Sequence, residues 1–562
     1  MKKNLQMLIL VIAVWVLGSL LAACAPAPAA ATEAAATEAA ASTTEPAPVF
    51  TVKADCVDGG SEINSIEAVD DLTVKFTLCR PDPAFLMKVA LANFGIEPAE
   101  YLTSTGGTGD LLTAPVGTGP YKMEAWNRGE SLVMTRNDDY WGDKAIAQTL
   151  IFKWSADASA RVVELQAGTV DGIDNVDVKD VATVRDDSNL QLIPRPALNV
   201  FYLGMTNTFK PYDDVRVRQA IGMGIDRQRI VDTFYAPGSE VAAYFTPCGI
   251  PNGCVGDKWY DFDPVAAKKL LAEAGFADGF KTTIYYRDVT RSYLPNVGKV
   301  AEDVQAQLKE NLNIDAEIVV MESGDFTSKA SAGQLDGIHM FGWGADYPQI
   351  TNFMDYHFSG NPPNPQWGTP YPEILNPLAE GAKIGNPADA ESIYVEANNA
   401  LRTLVPLVPI AHGASNLAYR ADVVGAHASP LGNEYFAAMD PGGRDTFIWM
   451  QSGEPISLYC GDEEDGESLR ACQQMVETLL SYEVGGTAVK PGLATGCEPN
   501  DDLTVWTCTL RDGVKFHDGS TLDANDVIAS WSVGLDASSP LHKGNTSAFA
   551  YFAQVWGLIN TP

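Results

Sequence analysis

Basic residues are scarce. The 562-residue chain carries 38 Lys and Arg against 72 Asp and Glu, a formal charge of −34. The charge argues against nucleic-acid binding, which needs clustered cations and gains from counterion release. Broad electrostatic adhesion to anionic lipid is equally disfavoured. Histidine is rarer still, with six in the chain. His339, His357, His412, His427, His517 and His542 lie away from the cysteines and no Cys-x-x-Cys occurs, which disfavours zinc. Gly-x-Ser-x-Gly, His-Glu-x-x-His and Gly-x-x-x-x-Gly-Lys-Ser/Thr are all missing, so no hydrolase elbow, zinc-peptidase helix or nucleotide loop is encoded. Past Leu21 no apolar run is long enough to span a bilayer. What is present is a hydrophobic content of 46%, enough for a sizeable core. The 34 Pro and 49 Gly imply many turns. At about 150 residues per domain, the length predicts three or four domains.

Residues 1–23 read as an export signal: Lys2 and Lys3, an apolar stretch over 8–21, then Leu21-Ala-Ala-Cys24. Small residues before a Cys resemble a bacterial lipobox, which implies cleavage before Cys24 and lipidation of its thiol. An uncleaved anchor helix is the competing reading. Residues 24–49 are mainly Ala, Pro, Thr, Ser and Glu, a composition that forms a tether rather than a fold. Together these predict a domain held by a lipid anchor on the extracytoplasmic face of a membrane. Setting Cys24 aside leaves eight cysteines, an even number suited to an oxidising compartment. They fall into the near pairs Cys56/Cys79, Cys248/Cys254, Cys460/Cys472 and Cys497/Cys508, and neighbour pairing is expected, although spacing alone leaves connectivity open.

The folded part interleaves strands and helices. Residues 72–78 and 503–510 alternate apolar and polar, each after an Asp-Asp turn, as half-buried strands do. Residues 213–234 read as one helix with Asp213 or Asp214 as cap. Residues 264–274 and 297–312 read as amphipathic helices, the second leading to a strand over 316–321. A mixed α/β fold in several lobes follows.

Several motifs resemble the family 5 extracellular solute-binding proteins, the peptide and nickel receptors of ABC importers. They are Pro115-Val-Gly-Thr-Gly-Pro-Tyr121, Arg136-Asn-Asp-Asp-Tyr-Trp-Gly142, Asp213-Asp-Val-Arg-Val-Arg-Gln-Ala220 with Ile225-Asp-Arg227, and Leu510-Arg-Asp-Gly-Val-Lys-Phe-His-Asp-Gly519 with Asp523-Ala-Asn-Asp-Val527. Glu454-Pro-Ile-Ser-Leu458 resembles the family's first core strand. The resemblance implies a type II periplasmic-binding-protein clamshell of two large lobes with a smaller third, closing on a ligand. The order of the motifs is rotated, because those that open the family's sequence stand last here. A circular permutation is therefore expected. Residues 50–437 resemble the family's middle and C-terminal parts, 438–446 form a joining loop, and 447–562 complete the same fold. Two broken copies are the rival reading.

Phe341-Gly-Trp-Gly-Ala-Asp-Tyr-Pro348 resembles the family segment whose Asp pairs with a peptide's α-ammonium. That role falls on Asp346, with Trp343 and Tyr347 lining the pocket. The alternative is a turn cap at Asp346 and a core Trp343. Arg287, Arg291 and Lys299 are candidates for the ligand's carboxylate, or else solvated helix-face cations. Ser457 and Tyr459 are candidate contacts from the opposite lobe. His517-Asp518 with Asp523 and Asp526 reads as turn and cap residues, and Asp462-Glu-Glu-Asp-Gly466 as a solvated loop without calcium-ligand spacing. The expectation is a monomeric receptor, without enzymatic activity or cofactor, that passes a small solute, foremost an oligopeptide, to an ABC permease. A nickel-chelate, haem or oligosaccharide receptor is the alternative cargo reading. A secreted hydrolase ranks lower, for want of an activated nucleophile.

Overall fold

Short apolar, β-branched and aromatic runs build three large sheets and a two-stranded ribbon of Leu480–Tyr482 with Val489–Pro491. A computed structural model of the chain describes residues 50–57, 60–359 and 364–561. The expected signal, Cys24 and the whole of the expected tether lie outside the described residues. The first lobe holds a seven-stranded sheet in the order Tyr121–Asn127, Ser131–Arg136, Thr149–Trp154, Thr446–Gln451, Gly172–Ile173, Ser415–Arg420 and Leu190–Arg195. The second holds a six-stranded sheet in the order Glu240–Val241, Leu407–His412, Asn199–Met205, Ile338–Gly344, Lys281–Arg287 and Asp315–Met321. The third is a five-stranded antiparallel sheet in the order Val52–Lys53, Ile63–Asp70, Thr73–Leu78, Val505–Leu510 and Ala494–Pro499.

The last quarter of the chain is woven into two of these sheets. Thr446–Gln451 lies parallel to both Thr149–Trp154 and Gly172–Ile173, in the interior of the first sheet. Val505–Leu510 pairs with Thr73–Leu78. On the third sheet Val74, Phe76 and Leu78 point inward, and Phe76 meets Trp531 edge to face at 5.0 Å. Trp531 comes from the helix Ala524–Leu535, whose Asp523 and Asp526 form a reciprocal capping box. The chain's first described turn also meets its end, since the Glu62 amide and the Ser61 hydroxyl both donate to the Trp556 carbonyl.

Two expected elements differ. Residues 213–234 form two helices, Val215–Gly224 and Arg227–Phe234. Ile225 takes extended backbone (φ −98°, ψ 118°), and the Asp226 carboxylate caps the second helix by accepting from the Arg229 amide. Residues 454–458 are not a strand; the strand lies upstream at Thr446–Gln451. There Phe447 and Trp449 are fully buried, whereas Pro455 has no amide hydrogen to give a ladder. The helix Val297–Leu312 and the Asp214 cap agree with expectation. All four neighbouring cysteine pairs form disulfides: Cys56–Cys79, Cys248–Cys254, Cys460–Cys472 and Cys497–Cys508.

The chain passes between the first and second sheets from Arg195 to Asn199 and again from His412 to Ser415. These crossings are clasped side by side. The Asn199 Nδ2 donates to the Gly413 carbonyl, and its Oδ1 accepts from the Gly413 amide, both at 2.8 Å. Gly413 is required at this contact, because a Cβ there would stand 2.1 Å from the Ser292 carbonyl oxygen.

Candidate functional site

Beside these crossings all three lobes contribute to one cavity of about 270 Å³. Asp174 and Arg195 reach it from the first sheet, and Asp346 from the loop that follows Ile338–Gly344. Tyr551 enters from the short helix Ala550–Val555, and Glu464, Glu467 and Arg470 from the segment bounded by Cys460–Cys472.

Asp346 is held by neutral donors. Its Oδ2 accepts from Asn352 Nδ2 at 3.0 Å, its Oδ1 accepts from the Tyr551 hydroxyl at 3.1 Å, and Gln554 Nε2 donates at 3.4 Å. Asn352 Oδ1 in turn accepts from the Asp346 amide at 3.0 Å and from Trp343 Nε1 at 3.1 Å. One amide side chain thus fixes both the loop and its carboxylate. Among the described residues no Lys, Arg or His nitrogen lies within the 4.0 Å of an ion pair with Asp346. Burial pushes its carboxyl above the ordinary value, and the Asn352 and Tyr551 hydrogen bonds only partly offset this. A desolvated carboxylate without a resident cation is suited to one supplied by a ligand.

The opposite wall is a closed charge network. Arg470 donates to Asp174 at 2.9 Å and to Glu434 at 2.7 Å, and Arg195 bridges the same two carboxylates at 3.1 and 2.8 Å. Asp174, Glu434 and Arg470 are all buried. Burial opposes ionisation of Asp174 and Glu434, yet the two guanidinium groups outweigh it and hold both carboxyls below their usual range.

The other sequence candidates are placed as follows. Trp343 packs against the site from behind, stacked on Tyr356 with ring centroids 3.9 Å apart. Tyr347 is buried beneath Lys88, whose ammonium sits 5.5 Å from the ring centre. Arg287 donates to the Ser323 and Thr327 hydroxyls, and Lys299 is exposed and pairs with Glu302 at 2.8 Å. Arg291 is exposed and donates to the neighbouring Thr290 carbonyl. None of these three lines the cavity. Ser457 and Tyr459 are buried, Tyr459 edge-on to Phe549 in the third lobe's core. Tyr551, Gln554, Arg195 and Arg470 escape sequence reading, since each comes from an element remote from Asp346 and carries no local motif. Asn352 alone was within reach, through its position just beyond the Trp343–Pro348 segment.

The sequence profile of the bacterial extracellular solute-binding proteins, family 5 Middle, matches residues 27–365 and 488–553. The dipeptide-binding protein of Pseudomonas aeruginosa is 30% identical over 392 residues, 66% of this chain and 71% of that protein. Heme-binding protein A of Haemophilus influenzae is 29% identical over 390 residues, 68% of this chain and 70% of that protein. Among solved structures, HbpA2 from Haemophilus parasuis is similar with a TM-score of 0.62 and 31% identity, over 68% of this chain and 76% of that one. The dipeptide-binding protein of Pseudoalteromonas sp. SM9913 in complex with Met-Leu has a TM-score of 0.55 and 27% identity, over 67% of this chain and 76% of that one. Both the sheets and the profile match thus lead to one assignment: this chain belongs to the family 5 bacterial extracellular solute-binding proteins, a family of transport binding proteins rather than enzymes.

Proposed function

We propose that this protein is the lipid-anchored receptor of an ABC importer, capturing a peptide with a free amino terminus and delivering it to the permease. The observation that carries the reading is Asp346: a desolvated carboxylate on the cavity wall, held in place by Asn352 and Tyr551 and lacking a cation among the described residues. A peptide α-ammonium completes that pair. Contacts to both large lobes are available only when they close, so binding favours closure, with the Asn199–Gly413 clasp at the pivot. Cys24 carries the lipid, and residues 24–49 span the gap to the folded part. Calorimetric titration with a short peptide and its N-acetylated form tests the reading. The free peptide binds and the acetylated one does not; equal affinities would refute it.

The rotated order is proposed as a circular permutation. Support comes from the pairing of Val505–Leu510 with Thr73–Leu78, from the contact of Ser61 and Glu62 with Trp556, and from the division of the profile match into two stretches. Asp440-Pro-Gly-Gly443 makes the joint, with Gly442 and Gly443 both at positive φ (70° and 77°) and the Gly443 amide donating to Asp440. A chain rebuilt in the order 444–562 then 50–443, joined by a short Gly/Ser linker, is expected to fold and to bind the same peptide within about threefold. Failure of the rebuilt chain to yield a soluble folded protein by circular dichroism would overturn the permutation.

A further inference from the structure

Resting on the peptide reading above, the charges around the same cavity specify the cargo further. Carboxylates outnumber guanidinium groups in its wall four to two: Asp174, Asp346, Glu464 and Glu467 against Arg195 and Arg470. Both guanidinium groups are already engaged by Asp174 and Glu434. The wall therefore offers no free cation to a ligand carboxylate. Three carboxylates remain outside that network: Asp346, Glu464 and Glu467. None of them makes an ion pair with Lys or Arg within 4.0 Å among the described residues. Tyr551 donates to Asp346 at 3.1 Å and lines the same cavity as Glu464. Glu467 accepts from the Ser452 hydroxyl, which holds it in place.

We propose that the cargo is a basic peptide, with its α-ammonium on Asp346 and a second positive charge near its amino terminus between Glu464 and Glu467. Like charges on wall and ligand disfavour acidic peptides by the same geometry. Glu464 is exposed and Glu467 half-buried, so water and salt screen them, and a preference rather than an absolute requirement follows.

The test is calorimetric titration of the whole protein with Lys-Ala-Ala, Ala-Ala-Ala and Glu-Ala-Ala at low and physiological salt. Lys-Ala-Ala is expected to bind about tenfold more tightly than Ala-Ala-Ala, with Glu-Ala-Ala weakest and the spread narrowing as salt rises. In Glu464→Gln/Glu467→Gln the Lys-to-Ala ratio falls to about one, and in Glu464→Lys the order of Lys-Ala-Ala and Glu-Ala-Ala reverses. Equal binding of Lys-Ala-Ala and Ala-Ala-Ala by the unaltered protein overturns this proposal alone and leaves the peptide reading standing, as does a Lys preference that survives in both variants. Binding of none of the three overturns both.

Discussion

Asp346→Asn is expected to weaken binding of a free-amino peptide about 100-fold or more, in the range for truncating one partner of a buried, hydrogen-bonded charge pair. The substitution is nearly isosteric. An amide oxygen still accepts from Tyr551 or Asn352, so the loop keeps its shape while the charge is lost. A pH series separates charge from shape. Burial raises the carboxyl of Asp346 in the free protein, whereas a bound ammonium favours its ionised form, so the empty site holds more protons than the filled one. Affinity should therefore fall as pH drops through the raised value of the free protein. In the Asp346→Asn variant that slope should vanish. Unaltered peptide affinity in the variant, or an unchanged slope, would remove Asp346 from the site.

Arg470→Met is expected to have the largest effect on stability, about 3–5 kcal/mol, read from the urea midpoint of the first lobe. Arg470 is one of two cations between two carboxylates in a buried setting. Removing it leaves Asp174 and Glu434 to share Arg195, and one of them must take up a proton or remain unpaired. Adding Glu434→Gln should recover part of the loss, because it relieves the excess charge without restoring the hydrogen bonds of Arg470. No recovery in the double variant would mean that packing of Arg470 against Trp449, with the guanidinium 5.7 Å from the ring centre, is the larger contribution.

Much of the fold was legible because its determinants are local. Val297–Leu312 announces itself by its apolar face, and Asp214 and Asp523 sit where helix caps must. Close cysteines found each other because short loops keep them near. The break at Ile225 was hidden because both flanking helices bury an apolar face, so the pattern continues across a joint set by backbone and cap chemistry. Thr446–Gln451 escapes the alternation test because it is buried between two parallel neighbours, and such strands show no alternation. The site divided in the same way. Asp346 stands in a motif, but Tyr551 reaches it across 205 positions and the Asp174–Arg470 pair spans 296. Only the tertiary fold brings such groups together.

The Cys460–Cys472 bridge has a consequence for how the protein must be made. It closes the loop that presents Glu464, Glu467 and Arg470 to the cavity, with its ends twelve positions apart. The bridge ties the short turn Cys460–Asp462 to the end of the helix Gly466–Cys472, adding covalent closure to the hydrogen bonds that Asp462 accepts from Thr546, Ser547 and Phe549. Protein produced in a reducing cytosol would keep its sheets and lose definition along one side of its mouth. The chemistry of the compartment outside the membrane is in that sense part of the recognition surface.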